Sequence, residues 1–102
     1  MRLVLLPEAF LEIDQTIAYY EEQRAGLGVT FYLAVEATVE LAAERPGLGS
    51  PVSDVDDRLS LRKYVVKRFP FVVWVAGEEG DRRVVAVAHA SRRPGYWRDR
   101  LK

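Results

Sequence analysis

Five consecutive residues, Val84-Val85-Ala86-Val87-Ala88, place nothing polar on either face of a strand. Strand side chains alternate between two faces, so such a run fits a central position in a sheet, covered on at least one side. The chain then changes character, running into His89-Ala90-Ser91-Arg92-Arg93-Pro94-Gly95-Tyr96-Trp97-Arg98-Asp99-Arg100. A buried strand thus delivers the sole histidine, four arginines and two large aromatics to one edge of the fold. Core building does not require that density of polar and aromatic groups; recognition or acid–base chemistry does.

The rest of the chain divides by period. Residues 2–6 form a short apolar run closed by Pro7, which ends a strand and opens a helix. Phe10, Ile13, Ile17 and Tyr20 follow at steps of three and four, one stripe of a helix over 8–24. Ala25-Gly26-Leu27-Gly28 stops it. Phe31, Val35, Thr38 and Leu41 or Ala42 repeat the spacing in a second helix over 29–45, ended by the loop Arg45-Pro46-Gly47-Leu48-Gly49-Ser50-Pro51. A connection this short makes the two helices an antiparallel hairpin. Residues 52–58 read as an acidic, irregular connection. From Leu59 the period becomes two, with strands over 61–67, 72–76 and 83–89. Phe69-Pro70-Phe71 forms the first break between them, a tight turn or bulge, and residues 77–81 form a five-residue hairpin loop. Residues 96–101 have room for one helical turn. The expected architecture is α+β in the order β-α-α-β-β-β, a single domain over 1–102. It places a mostly antiparallel sheet against the helical hairpin as one layer pair.

Composition narrows the function classes. The chain has no cysteine, which excludes a disulfide, a cysteine nucleophile and a thiolate metal site. One histidine among scattered carboxylates gives no metal-ligand spacing, and no cofactor is expected. No apolar run approaches the length of a membrane span, the opening residues are too short for a signal peptide, and a cytoplasmic protein is expected. The zero net charge conceals a division. Residues 1–57 hold three bases against eleven acids, net −8; residues 58–102 hold twelve bases against four acids, net +8. The basic half suits a negative partner, nucleic acid or an acidic protein, or else serves only to attract the acidic helices.

In this order, these residues resemble the RelE/ParE family of bacterial toxin–antitoxin toxins, over nearly the whole chain. The likeness rests on the paired Tyr19-Tyr20 of the first helix, the Arg45-Pro46-Gly47 stop, and Leu61-Arg62 opening a strand. It continues through Arg68-Phe69-Pro70-Phe71 to Ala86-Val87-Ala88-His89 and Arg92-Arg93-Pro94-Gly95-Tyr96-Trp97. The last two stretches are similar to the ParE-type, or plasmid stabilisation, branch. The resemblance implies a small toxin neutralised by a co-expressed antitoxin in a hetero-oligomer. Its target is DNA gyrase for ParE-like members, or mRNA on the ribosome for RelE-like members.

The residues bear on both activities. Cleaving RNA through its 2′-hydroxyl needs a base, an acid and positive charge on the phosphate. His89 could supply the base or acid, Arg62, Arg92 or Arg93 the charge, and Tyr96 a stacking or catalytic phenol. Against this, Ala90 stands where the resemblance implies a nuclease arginine, Lys63 alone represents the expected lysines, and Asp54, Asp56 and Asp57 would repel RNA. Binding a protein target needs an adhesive surface instead, and Tyr96, Trp97, Arg98 and Arg100 are of the types enriched in hot spots. Alternatively, Trp97 folds back to cap the core. Arg62 has a structural reading too, pairing with Glu12 or Glu36 on the hairpin. The resemblance further implies an antitoxin, partly disordered and folding on binding. From the charge distribution, its contacts are expected at Arg62, Lys63, Lys67, Arg68, Arg82 and Arg83. A non-toxic RNA- or protein-binding module is the third possibility. Specific DNA reading is disfavoured, because both helices are acidic.

Overall fold

The computed structural model describes residues 3–52, 59–78, 80–93 and 95–101. The acidic stretch 53–58, with Asp54, Asp56 and Asp57, lies outside the described residues. Strand β1 (Val4–Leu5) leads through Pro7 at the first helical position into α1 (Pro7–Gln23), and α2 (Leu27–Glu44) follows. A 3-10 turn over Pro46–Leu48 precedes β2 (Ser50–Pro51), and then come β3 (Arg62–Val65), β4 (Phe71–Ala76), β5 (Arg83–His89) and a last 3-10 turn over Arg98–Leu101. The sheet order is β1-β5-β4-β3-β2, with β1 parallel to β5 and every other pair antiparallel. The α+β class and mostly antiparallel sheet are as the sequence predicts. The two-residue β2 is an addition, since Ser50 and Pro51 read only as loop.

The joint between the helices is tight for an identifiable reason. Gly26, at φ 87°, provides no side-chain cap for α2. The carboxylate of Glu21 takes that role from the preceding helix, accepting the N–H groups of Gly26 at 2.9 Å and Gly28 at 3.0 Å. Gly28 is buried, and a Cβ there would come within 2.7 Å of the Ile17 carbonyl oxygen, so the helices approach through backbone.

The sheet is covered on both faces, not one. Val73 and Val75 of β4 and Val84 and Val87 of β5 pack with Ala9, Ile13, Phe31, Val35 and Ala42 from the helices. Tyr20, Phe31, Phe69 and Phe71 stack beside them with neighbouring ring centroids 5.1–6.1 Å apart. The Phe69-Pro70-Phe71 break is therefore a turn that aims two rings at the helices. It is closed by Val66 N–H to the Phe71 carbonyl at 2.9 Å, with Arg68 in the left-handed region at φ 72°. On the opposite face, Leu61, Val72, Trp74, Ala76, Val85 and Ala86 form a second core around Trp97. The expected single pair of layers is thus corrected: residues after β5 return as a third covering. The all-apolar run of β5 follows from this. Trp74 pairs with Ala86 while Val75 pairs with Val84, so Val85 is the extra residue of a β-bulge. The bulge places Val85 and Ala86 together in the second core.

Candidate functional site

Strand β5 ends in a close turn. Ala90 N–H donates to the Pro70 carbonyl at 2.8 Å, and Arg92 N–H returns to the His89 carbonyl at 2.9 Å. The His89 ring packs edge-on to Phe71 at 5.5 Å. Its Nδ1 accepts the Ser91 N–H at 3.0 Å and lies 2.7 Å from Ser91 Oγ. Backbone N–H can only donate, so Nδ1 is an acceptor and the neutral ring carries its proton on Nε2. The nitrogen left to a substrate is then a donor, not a base. Gly95, at φ 90°, turns the chain back across the fold.

The returning tail is held by one carboxylate on α1. Glu12 accepts the Tyr96 hydroxyl at 2.5 Å and a two-pronged contact from Arg100 at 2.9 and 3.0 Å. Its Oε1 also accepts the Val87 N–H of β5 at 3.0 Å, and Arg100 donates to the Val85 carbonyl at 3.0 Å. Among the described residues β1 pairs with β5 only at Arg83 and Val84, and farther along the outer edge of β5 these side chains take up its backbone groups. Burial, then the hydrogen bond to Glu12, push the Tyr96 phenol well above its ordinary pKa. The same hydrogen bond raises that of Arg100. The Arg92 guanidinium lies over the Tyr96 ring at 4.2 Å, and that of Arg100 lies 5.1 Å from the ring centroid.

The structure sorts the sequence-derived candidates. It seats Arg92 on Tyr96 and ties Arg92 to His89 through the backbone of the turn. Arg62 stands apart, because it pairs with Val75 while His89 pairs with Phe71, four residues away on β4. That is about 13 Å along the strand. Arg62 meets neither proposed carboxylate partner; it donates to the Gly49 carbonyl at 2.6 Å, and Glu12 is engaged by the tail. Trp97 is 0% exposed, 5.5 Å from Trp74, so of its two expected roles the cap of the core holds and the place on a target-binding surface is corrected. Among the described residues its Nε1 has no hydrogen-bond partner, so packing alone seats the ring. Arg100 is likewise turned inward, and Arg92, Arg93 and Arg98 remain exposed. Glu12 was foreseen only as a possible partner of Arg62; among so many helical acids, nothing local marks it as the tail's anchor.

Of the expected antitoxin contacts, Arg82 is occupied internally, donating to the Ala42 carbonyl and the Tyr64 hydroxyl, both at 2.8 Å. Arg83 is exposed at the other side of the sheet, beside β1. Lys63, Lys67 and Arg68 line a groove of about 730 Å³ between α2 and the β3 edge. Its apolar lining includes Leu33, Leu41, Leu48 and Val65, which are 56%, 44%, 57% and 74% exposed. Among the described residues β2 pairs with β3 only at Arg62 and Lys63, so the groove runs along an edge that β2 does not extend to cover.

The architecture is two helices on a five-stranded, mostly antiparallel sheet. Its fold is similar to that of a solved structure described as the chromosomal ParDE TA system from P. aeruginosa. The TM-score is 0.72 at 14% identity, over 87% of this chain and 95% of that one. No family model matches the sequence, and no curated protein matches it. Among the described residues, no helix is long and apolar enough to cross a membrane.

Proposed function

We propose that this protein is the toxin of a toxin–antitoxin pair. It arrests growth by binding DNA gyrase through the turn and tail after β5, and an antitoxin holds it inactive. The observation that carries the reading is the commitment of the nuclease candidates. The Tyr96 hydroxyl is bound to Glu12, and its proton is held more tightly than in a free phenol. His89 Nδ1 is bound to Ser91, and Arg62 lies away from both. In this arrangement neither the Tyr96 hydroxyl nor His89 Nδ1 is free to act as the base, whereas a binding surface needs only exposed, well-held groups, such as Arg92 over Tyr96. The fold likeness to a ParDE chain supports the toxin class. A cytoplasmic site of action goes with this reading.

The antitoxin segment that fits the α2–β3 groove is acidic and amphipathic. Its apolar side meets Leu33, Leu41 and Leu48, and its carboxylates meet Lys63, Lys67 and Arg68. Two assays on one preparation test the target. Purified protein should inhibit supercoiling by DNA gyrase and leave mRNA intact on programmed ribosomes. Cuts in the ribosomal A site, lost in Tyr96→Phe or His89→Ala, would replace this reading with that of an endonuclease.

A further inference from the structure

The geometry points to Glu12 as a positioning residue: from helix α1 it sets the surface that the turn and tail present to the target, without touching the target itself. The inference rests on the proposed role of that surface. Four hydrogen bonds converge on the Glu12 carboxylate, from Tyr96, twice from Arg100, and from Val87. They join segments 75 to 88 residues away in sequence. Glu12 is thus where α1, β5 and the tail are locked to one another. Tyr96 in turn is the platform for Arg92, whose guanidinium lies 4.2 Å from the ring centroid. An exposed arginine samples many rotamers, and a fixed ring beneath it reduces that freedom before any partner arrives. The carboxylate fixes the phenol, the phenol fixes the guanidinium, and only the last link faces outward. A carboxylate suits this task, because its two oxygens accept the arginine fork and the hydroxyl together.

The test compares full-length variants expressed from a titratable promoter, reading the intracellular protein level that halves growth, with the melting temperature of each purified protein alongside. Arg92→Ala should raise the required level about tenfold, as loss of a binding hot spot does. Glu12→Gln should raise it by a similar factor, and the double variant should need no more than the weaker single, because Arg92 contributes only while Tyr96 is held. Tyr96→Phe removes the hydroxyl and keeps the ring; it should show a smaller loss of the same kind, and it carries the test if Glu12→Gln does not fold. Glu21→Ala weakens the fold at the start of α2, away from the tail, and should retain growth arrest at a matched melting temperature. Full growth arrest by Glu12→Gln and Tyr96→Phe, or additive losses in the double variant, would overturn the inference and leave Glu12 a stabilising contact. Full arrest by Arg92→Ala and Tyr96→Ala together would remove the tail as target surface, and with it the reading on which Glu12's role depends.

Discussion

At the scale of single residues, two glutamates on one helix do different work. Glu21 closes the start of α2, and Glu12 closes the tail. Replacing Glu21 by alanine leaves two N–H groups without their acceptor, that of buried Gly28 among them. Caps of this kind are worth about 1 kcal/mol. Thermal unfolding of Glu21→Ala should therefore shift down by roughly 4–8 °C, as expected for a domain near 100 residues. Tyr96 gives a pH signature. Its proton is bound more tightly in the folded chain than in the unfolded one, so it contributes stability that is fully present below the ordinary phenol value of about 10. That stability is lost as pH rises toward the folded-state value. Denaturant midpoints should fall above about pH 10, and less steeply in Tyr96→Phe. Tyr20, also raised by burial, keeps part of the slope in that variant. None of this was legible locally. The stripe Phe10, Ile13, Ile17 and Tyr20 identifies the helix, but both glutamates lie off it, and their roles exist only once distant segments meet.

Among the elements, the helices and the three long strands follow from period and punctuation. The turn at Phe69-Pro70-Phe71 was readable from the proline between two aromatics. The tail was legible in composition and not in direction. Tyr96 and Trp97 are neighbours, yet one is half-buried against a carboxylate and the other lies in the core. Sequence favours Trp97 as the buried one but does not say against what, because that depends on which sheet face is open. The covering of that face now gives the tail a measurable weight. Trp97→Ala should cost about 3–5 kcal/mol, against the 5–15 kcal/mol that holds a whole domain together. Chemical denaturation would measure it. A loss below about 1 kcal/mol would mean the tail is not packed as described.

For the whole molecule, the charge division visible in sequence becomes a division in space. α1 and α2 contain no lysine or arginine, and the groove beside them is rimmed by Lys63, Lys67 and Arg68. Electrostatic docking there should weaken with salt, because exposed charges are screened beyond about 10 Å at 0.1 M. Lys67→Glu with Arg68→Glu should lower antitoxin affinity about tenfold or more and flatten its salt dependence, as titration calorimetry at two ionic strengths would read. Affinity unaffected by either change would assign docking to the apolar lining alone.

The sheet order also imposes an order in time. β5 is the partner of both β1 and β4, yet it is the last strand to be synthesised. Until residues 83–89 leave the ribosome, β1 has no neighbour, the helices lack Val84 and Val87 of their facing core, and Glu12 has nothing to hold. A chain cut after Arg82 should show no cooperative unfolding by circular dichroism. An mRNA broken upstream of β5 would therefore yield a harmless peptide. The surface assigned to growth arrest can exist only after residues 83–100 have been translated, so a partner translated earlier would already be waiting for it.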